Sequence, residues 1–396
     1  MSSQPKISLL APDLSGGGGT RVYLLAKVLQ QLNLDVKVFG CLFGQEIYPT
    51  PPNNLALQWV KGCDFPSFFG PLQEIVRAID GDIIYAVKPR PTSFGIGLIK
   101  HFLSRSPLLL DIDDWELSWF GGDDWQYQPN PKKVARDILK QNGALRDPQH
   151  PLYLSWCEKL IHRANLVTVD TQFLQNRYGG TYLPNGKDTH LFNPDRFNPE
   201  ETRAKYGLSD YRILMFPGTA RPHKGLEDAI EALHILDRQD LRFVLVGGRN
   251  IGDGYVEELL AKGKPWIVKL PSVPLDRMPE VVSAADIIIV PQRQTATAGA
   301  QCPIKLTDGM AMAKPIISTR VGEIPHVLGE TGYLADPNSP AQLAAQIEAI
   351  FDNYDAAVAL GRKARERCIE YYSLEAMAAI LKDAIANLTN SRAIKL

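Results

Sequence analysis

No stretch of the 396-residue sequence is long and apolar enough to cross a bilayer, a task that takes about 18 consecutive apolar residues. The apolar run behind the first residues, Ile7 to Pro12, is too short for the hydrophobic region of a secretory signal. There is no basic arm and no Lys/Arg block, and the formal net charge is -1. A nucleic-acid partner is therefore not expected. The five cysteines, Cys41, Cys63, Cys157, Cys302 and Cys368, share no close spacing. They suit neither a disulfide framework nor a zinc site, and the expected home is a reducing cytoplasm. Repeats of 20–50 residues and low-complexity tracts are also missing. What remains is the profile of a soluble globular protein, 45% hydrophobic and 22% charged. Its length suits two domains better than one core.

Short β-branched runs alternate with amphipathic helical stretches, which reads as α/β with parallel sheets. In the first half the strand candidates are 6–12, 36–40, 57–60, 82–87, 107–112 and 166–169. A helix over about 20–34 carries Leu24, Leu25, Val28, Leu29 and Leu32 at helical spacing. The stretch 184–200, rich in proline and asparagine, reads as an interdomain linker. A second series follows at 212–217, 242–247, 266–270, 286–291 and 315–319, with a helix from Lys224 to about Leu236. Helices near 339–353, 354–371 and 374–391 close the chain. Two such sheets make a cleft, and ligands sit at the ends of the strands that face it.

Four segments can carry chemistry. Gly16, Gly17, Gly18 and Gly19 lie between the first strand and the first helix. Glycines there allow close backbone approach and positive φ, and the helix start favours an anion. The segment matches neither a P-loop nor GxGxxG; the bland alternative is a turn with Thr20 as N-cap. The second segment is Gly218, Thr219, Arg221 and Lys224 at a strand-to-helix junction. Arginine offers a planar fork and lysine a point charge to a diphosphate; the alternative is a solvated basic turn. In the third, Lys305 and Asp308 share a face of a helix that opens near Pro303. The alternative there is a surface ion pair. The fourth is Asp111, Asp113 and Asp114 at a strand end. Asp111 and Asp113 point to the same side of a strand and could bind a metal, move protons or orient sugar hydroxyls; a polar strand end capping a helix serves equally well.

The second and third segments together resemble the retaining GT-B glycosyltransferases of family four, the glycogen synthase and mannosyltransferase-like group (glycosyl transferases group 1). The likeness runs over nearly the whole chain and is strongest in "GTARPHKGLEDAIEAL", "SAADIIIVP" and "IKLTDGMAMAKPIISTRVGEIPHVL". It implies a GT-B fold, two Rossmann-like domains facing each other across a cleft. The acceptor domain would span 1–190, with a C-terminal helix, about 374–396, packing back on it. The donor domain would span 200–373. It also implies roles. Lys224 matches the lysine that holds the donor phosphates, and Arg221 lies near its arginine partner, shifted from the usual site at Thr219. Gly17, Gly18 and Gly19 would lie beside donor phosphate and sugar, with Gly218. Leu270 and Pro271 fall where the nucleobase edge is met, and Gln301, Pro303 and Ile304 form a loop near phosphate or sugar. Asp308 falls on the second glutamate of the family's E-x7-E pair, which binds the donor ribose. Ala300 replaces the first, as in a branch of the family that carries Lys305. Asp113 aligns with the histidine that touches the transferred sugar.

The resemblance implies a cytoplasmic hexosyltransferase. It would use a nucleoside diphosphate sugar, retain configuration and need no cofactor or metal. In the mechanism, Lys224 and Arg221 face the departing diphosphate and Asp113 the anomeric carbon. The acceptor is a sugar or a lipid-linked molecule. Rival readings are a GT-B epimerase or phosphorylase, and a catalytically degenerate sugar-nucleotide-binding protein, the latter motivated by Ala300. The segment 93–105 mixes apolar and basic residues. It reads either as a peripheral contact on the inner face of a membrane or as a core-packed helix with basic ends. Aromatic residues such as Phe65, Phe69, Trp115 and Trp119 crowd the stretches around it and could stack on sugars or simply pack.

Overall fold

The computed structural model describes residues 4–16, 18–128, 130–247 and 254–391. The chain forms two compact units. One comprises the described residues up to Asn185 together with those from Met377 onward; the other runs from Gly186 to Ala376.

The first unit holds β1 (Lys6–Ala11), β2 (Asp35–Leu42), β3 (Ala56–Lys61), β4 (Ile83–Val87), β5 (Leu108–Ile112), β6 (Leu166–Val169) and β7 (Thr181–Tyr182). They pair in parallel in the order β3-β2-β1-β4-β5-β6-β7. The second unit holds β8 (Arg212–Pro217), β9 (Leu241–Val246), β10 (Ile267–Leu270), β11 (Ile287–Val290), β12 (Ile316–Thr319) and β13 (Tyr333–Ala335). Their order is β10-β9-β8-β11-β12-β13, again all parallel. Each sheet is a doubly wound, Rossmann-like sheet. Its order reverses at one place, between β1 and β4 or between β8 and β11, and there the loops part to leave a crevice.

The strands read as unbroken apolar runs because helices cover both faces of each sheet. In β8, Ile213 and Met215 enter one core while Leu214 and Phe216 enter the other. In β11 the division is Ile288 and Val290 against Ile287 and Ile289. The helix Leu226–Leu236 brings Leu226, Ala229, Ile230 and Leu233 to the second of these cores.

Three local outcomes differ from the sequence reading. The helix placed from Lys224 begins at Leu226, because Pro222–Lys224 forms a tighter 3-10 turn and Gly225 breaks the path at φ 66°. The linker-like stretch 184–200 contains helix starts. Asn193 and Asn198 accept from Asp195 N–H and Glu200 N–H, and a proline follows each. Asparagine before proline is capping chemistry there, and the division between the units falls at 185 and 186. The edge strands β7 and β13, two and three residues long, were not anticipated.

Gly361 in the helix Tyr354–Tyr372 lies against the backbone of 313–314, where an added Cβ would come within 2.4 Å of Ala313 O. Alanine ordinarily gains about 1 kcal/mol over glycine inside a helix. Here the backbone cannot yield, so Gly361→Ala is expected to destabilise the second unit by ~1–3 kcal/mol. Urea denaturation would measure it, and a stabilised variant would contradict this packing.

Candidate functional site

In the second unit the crevice lies between the loops that follow β8 and β11. Gly225 stitches the two together, since its Cα sits so close to Pro291 that a Cβ would be 2.0 Å from that carbonyl oxygen. Arg293 N–H donates to His223 O at 3.0 Å, and the Arg293 guanidinium pairs with Asp228 at 2.7 Å. So fixed, Lys224 directs its ammonium to Gln292 Oε1 at 3.3 Å and Gln301 Oε1 at 3.4 Å. Gln292 is fully buried, and its Nε2 donates to Ala298 O at 3.0 Å, which turns its amide oxygen toward the lysine. Arg221 is exposed, and Gly218 and Thr219 are half-buried.

The helix Ile304–Ala311 adds a second cation from the other side, with Pro303 as its N-cap residue. The Lys305 stem crosses Gly218 so closely that a Cβ on the glycine would lie 2.2 Å from Lys305 Cε. Asp308, one turn along, does not answer Lys305. Its carboxylate pairs with Lys187, and both partners are buried. Neither residue is the surface charge that helical spacing alone allowed. Burial pushes Lys305 below the usual lysine range, Asp308 opposing and Lys187 reinforcing the shift. His223 reports the summed field. Burial, then Lys224, Arg221 and Lys305, lower it from 6.5 to about 4. Ala300 is fully buried. Leu270 is a core residue whose carbonyl accepts from Gly247 N–H at 3.1 Å, and Pro271 is exposed. A cavity of about 340 Å³ opens elsewhere in this unit, lined by Arg196, Lys205 and Glu280 among others and by none of the candidate site residues.

In the first unit Gly17 lies outside the described residues. Gly18 has φ -63° and directly precedes the helix Gly19–Gln31 without a side-chain cap, so Thr20 does not cap it. Close approach rather than positive φ explains these glycines. A Cβ on Gly18 would be 3.1 Å from Pro12 Cγ, and one on Gly19 would be 3.0 Å from Pro49 Cδ.

The aspartates separate. Asp111 is fully buried and takes Arg21 with two bonds, 2.9 Å from Nε and 2.8 Å from Nη2. Thr168 Oγ1 donates to it at 2.7 Å and bonds Tyr85 Oη at 2.7 Å. Asp113 lies past the end of β5 and faces Lys88, whose ammonium is 3.3 Å from Asp113 Oδ1. Asp111 and Asp113 therefore do not act as a pair, because Arg21 has claimed the first. Lys88, at φ 65°, also reaches Glu116 at 2.9 Å and Asp114 at 3.6 Å, and Arg90 Nε donates to Glu116 at 2.7 Å. Burial opposes the charge of Glu116, yet Lys88 and Arg90 hold it below the usual carboxylate range. Burial raises Asp114 despite Lys88. It pushes Asp170 well up against the pull of Arg21, helped by Asp113 and Asp111. Asp113 Oδ1 is buried and, among the described residues, has the Lys88 ion contact but no well-aligned hydrogen bond.

Residues 211–353 match the family described as Glycosyl transferases group 1. A phosphatidylinositol monomannoside mannosyltransferase of Mycolicibacterium smegmatis, GDP-mannose-dependent and α-(1-6), is 22% identical over 83% of this chain and 98% of its own. A D-inositol 3-phosphate glycosyltransferase of Corynebacterium glutamicum is 29% identical over 58% of this chain and 60% of its own. Anabaena HepE, solved with UDP-glucose, superposes with TM-score 0.74 at 17% identity, covering 97% of this chain and all of its own. Over that stretch the chain is similar to the group 1 glycosyltransferases.

The fold is GT-B. Sequence reasoning missed Arg21, Lys88, Glu116 and Lys187. Arg21 was visible in "GGGGTR" and Lys88 closes the apolar run "DIIYAV". A charge ending a buried strand was the available signal.

Because His223 carries its proton only below its unfolded range, the unfolded chain binds that proton first. Its contribution to stability is present above about pH 6.5 and is lost as pH falls toward 4. An anion in the loop would offset the cations and raise His223. Titration followed by NMR should move upward when inorganic pyrophosphate is added to the protein; an unmoved resonance would place the anion elsewhere.

Proposed function

We propose that this protein is a glycosyltransferase that moves a hexose from a nucleoside diphosphate sugar to an acceptor hydroxyl with retention of configuration and without a metal. The observation that carries the donor class is the gathering of Lys224, Arg221 and Lys305 about the β8 loop, the Lys305 stem lying against Gly218; with burial as the larger cause, the three cations lower His223 to about 4. When the bond from the anomeric carbon to the phosphate oxygen breaks, its electron pair goes to the diphosphate. Fixed cations are worth most where that charge appears. Lys224 is the principal donor to it, its ammonium held by the amide oxygens of Gln292 and Gln301. Arg221, exposed and at the same loop, closes on the phosphates as a planar fork. Gly218 and Thr219 bring backbone to the phosphates, and Pro303 and Ile304 open the helix that carries Lys305. Leu270 and Pro271 border the base, and Asp308 serves the ribose with the oxygen that Lys187 leaves.

Asp113 is the residue for the developing positive charge at the anomeric carbon. Support comes from its place past the end of β5, with Oδ1 buried and 3.3 Å from the Lys88 ammonium. The named relatives and HepE make GDP-mannose and UDP-glucose the first donors to test. The buried, apolar Ala300 keeps one rival in play, a sugar-nucleotide binder that does not turn over.

The acceptor side is read as membrane-borne. The helix Ile96–Ser104 buries Ile96 and Leu98 but leaves Phe102 57% and Leu103 73% exposed, with Lys100 and Arg105 beside them. Apolar residues among cations suit an anionic lipid surface.

Lys224→Ala is expected to lower turnover by ~10²–10³, the usual loss of one fixed charge-stabilising donor. Donor hydrolysis and transfer, each run with and without EDTA, would show it. A variant near wild-type activity removes Lys224 from the mechanism, and a metal-rescued loss in EDTA removes the metal-free reading. Nucleotide binding with no sugar release from any donor would favour the binder. For the lipid contact, the full chain should float with vesicles containing phosphatidylglycerol and not with pure phosphatidylcholine. Leu103→Glu should abolish flotation, and equal flotation of that variant would refute the assignment.

A further inference from the structure

Lys187 belongs to none of the segments that carry the proposed function, yet it is held on every side. Its N–H donates to Tyr372 O at 2.6 Å and its carbonyl accepts from Leu374 N–H at 3.0 Å. The ammonium lies 4.5 Å from the centre of the Phe192 ring and pairs with Asp308. The loop beneath is fastened in turn by Arg365, which donates to Phe192 O at 2.7 Å and Thr189 O at 3.2 Å. A lysine only 6% exposed is not a surface chain that happens to reach a carboxylate. Buried ion pairs are seldom a net source of stability over apolar packing, so the pair invites a role beyond holding the fold.

Charge counting suggests one. Lys187, Lys305 and Asp308 lie within one another's field. Two cations and one anion leave one positive charge over, and geometry decides which. Asp308 is taken by Lys187, while Lys305, three residues earlier on the same helix, lies across Gly218 at the β8 loop. Without Lys187, the buried carboxylate would keep Lys305 as its cation, at the helical spacing where such side chains meet. The charge offered at Gly218 would then be quenched.

We propose that Lys187 is a positioning residue that occupies Asp308 and so leaves Lys305 free to meet the donor diphosphate. This rests on the proposed donor site. The test uses the full chain and calorimetric titration with UDP and GDP. Lys187→Met should weaken whichever diphosphate binds by about tenfold, or ~1.4 kcal/mol, and Lys187→Arg should stay within about threefold of wild type. Lys305→Met should weaken binding to a similar degree. The double variant should be no weaker than either single, because both act on one charge.

A lysine that only props the fold would instead give losses that multiply in the double variant, and that result overturns the proposal. So does a Lys187→Met protein of wild-type affinity. If Lys187→Met does not fold, Lys305→Met still decides, because unchanged affinity there leaves no charge for Lys187 to protect. Failure of wild type to bind either diphosphate would overturn the donor site itself, a separate outcome from tight binding that ignores Lys187.

Discussion

Like charges held close together and partly out of water are the condition on which the second unit's site depends. Cations so placed repel one another, and water would normally relieve them. The parallel sheet makes the arrangement tolerable. With both faces of β8 and β11 covered by apolar residues, the strands are rigid, and the loops at their ends have few alternatives. Gly225 against Pro291 and Arg293 against Asp228 tie those loops down. An anion arriving there would relieve that repulsion. Burial, and after it the same cations, lower the proton affinity of His223.

The first unit solves the opposite problem. Its switch point gathers carboxylates, and each is handled differently. Asp111 is committed to Arg21, Glu116 is shared by Lys88 and Arg90, and Asp113 meets Lys88 only as an ion contact. Environments that push neighbouring acids apart are how a fold assigns separate tasks to chemically identical groups. A string of aspartates in sequence is therefore no guide to a shared function. Asp111 and Asp113 are two residues apart, yet one is a structural anchor and the other is not.

Much of the architecture was legible locally. Unbroken β-branched runs marked the central strands, and helical spacing picked out Leu25, Val28 and Leu29, all buried. The two edge strands were not legible, because two or three residues cannot display a period. Proline and asparagine around 193–199 were misleading, since the same composition serves linkers and helix caps. Within the candidate site, the positions of Lys224 after β8 and of Lys305 at the start of its helix followed from strand-to-helix punctuation. What each charge pairs with did not. Arg21 meets Asp111 across 90 residues and Lys187 meets Asp308 across 121, and no local pattern encodes such partnerships.

The division of the chain carries a further consequence for its synthesis. The first unit is discontinuous, because Met377, Leu381, Ile385 and Leu388 of the last helix are buried and belong with residues before 186. A ribosome delivers those residues only after the whole second unit has emerged. The unit translated first is thus completed last, and until then it must wait with an apolar seam uncovered, in the interval when chaperones act.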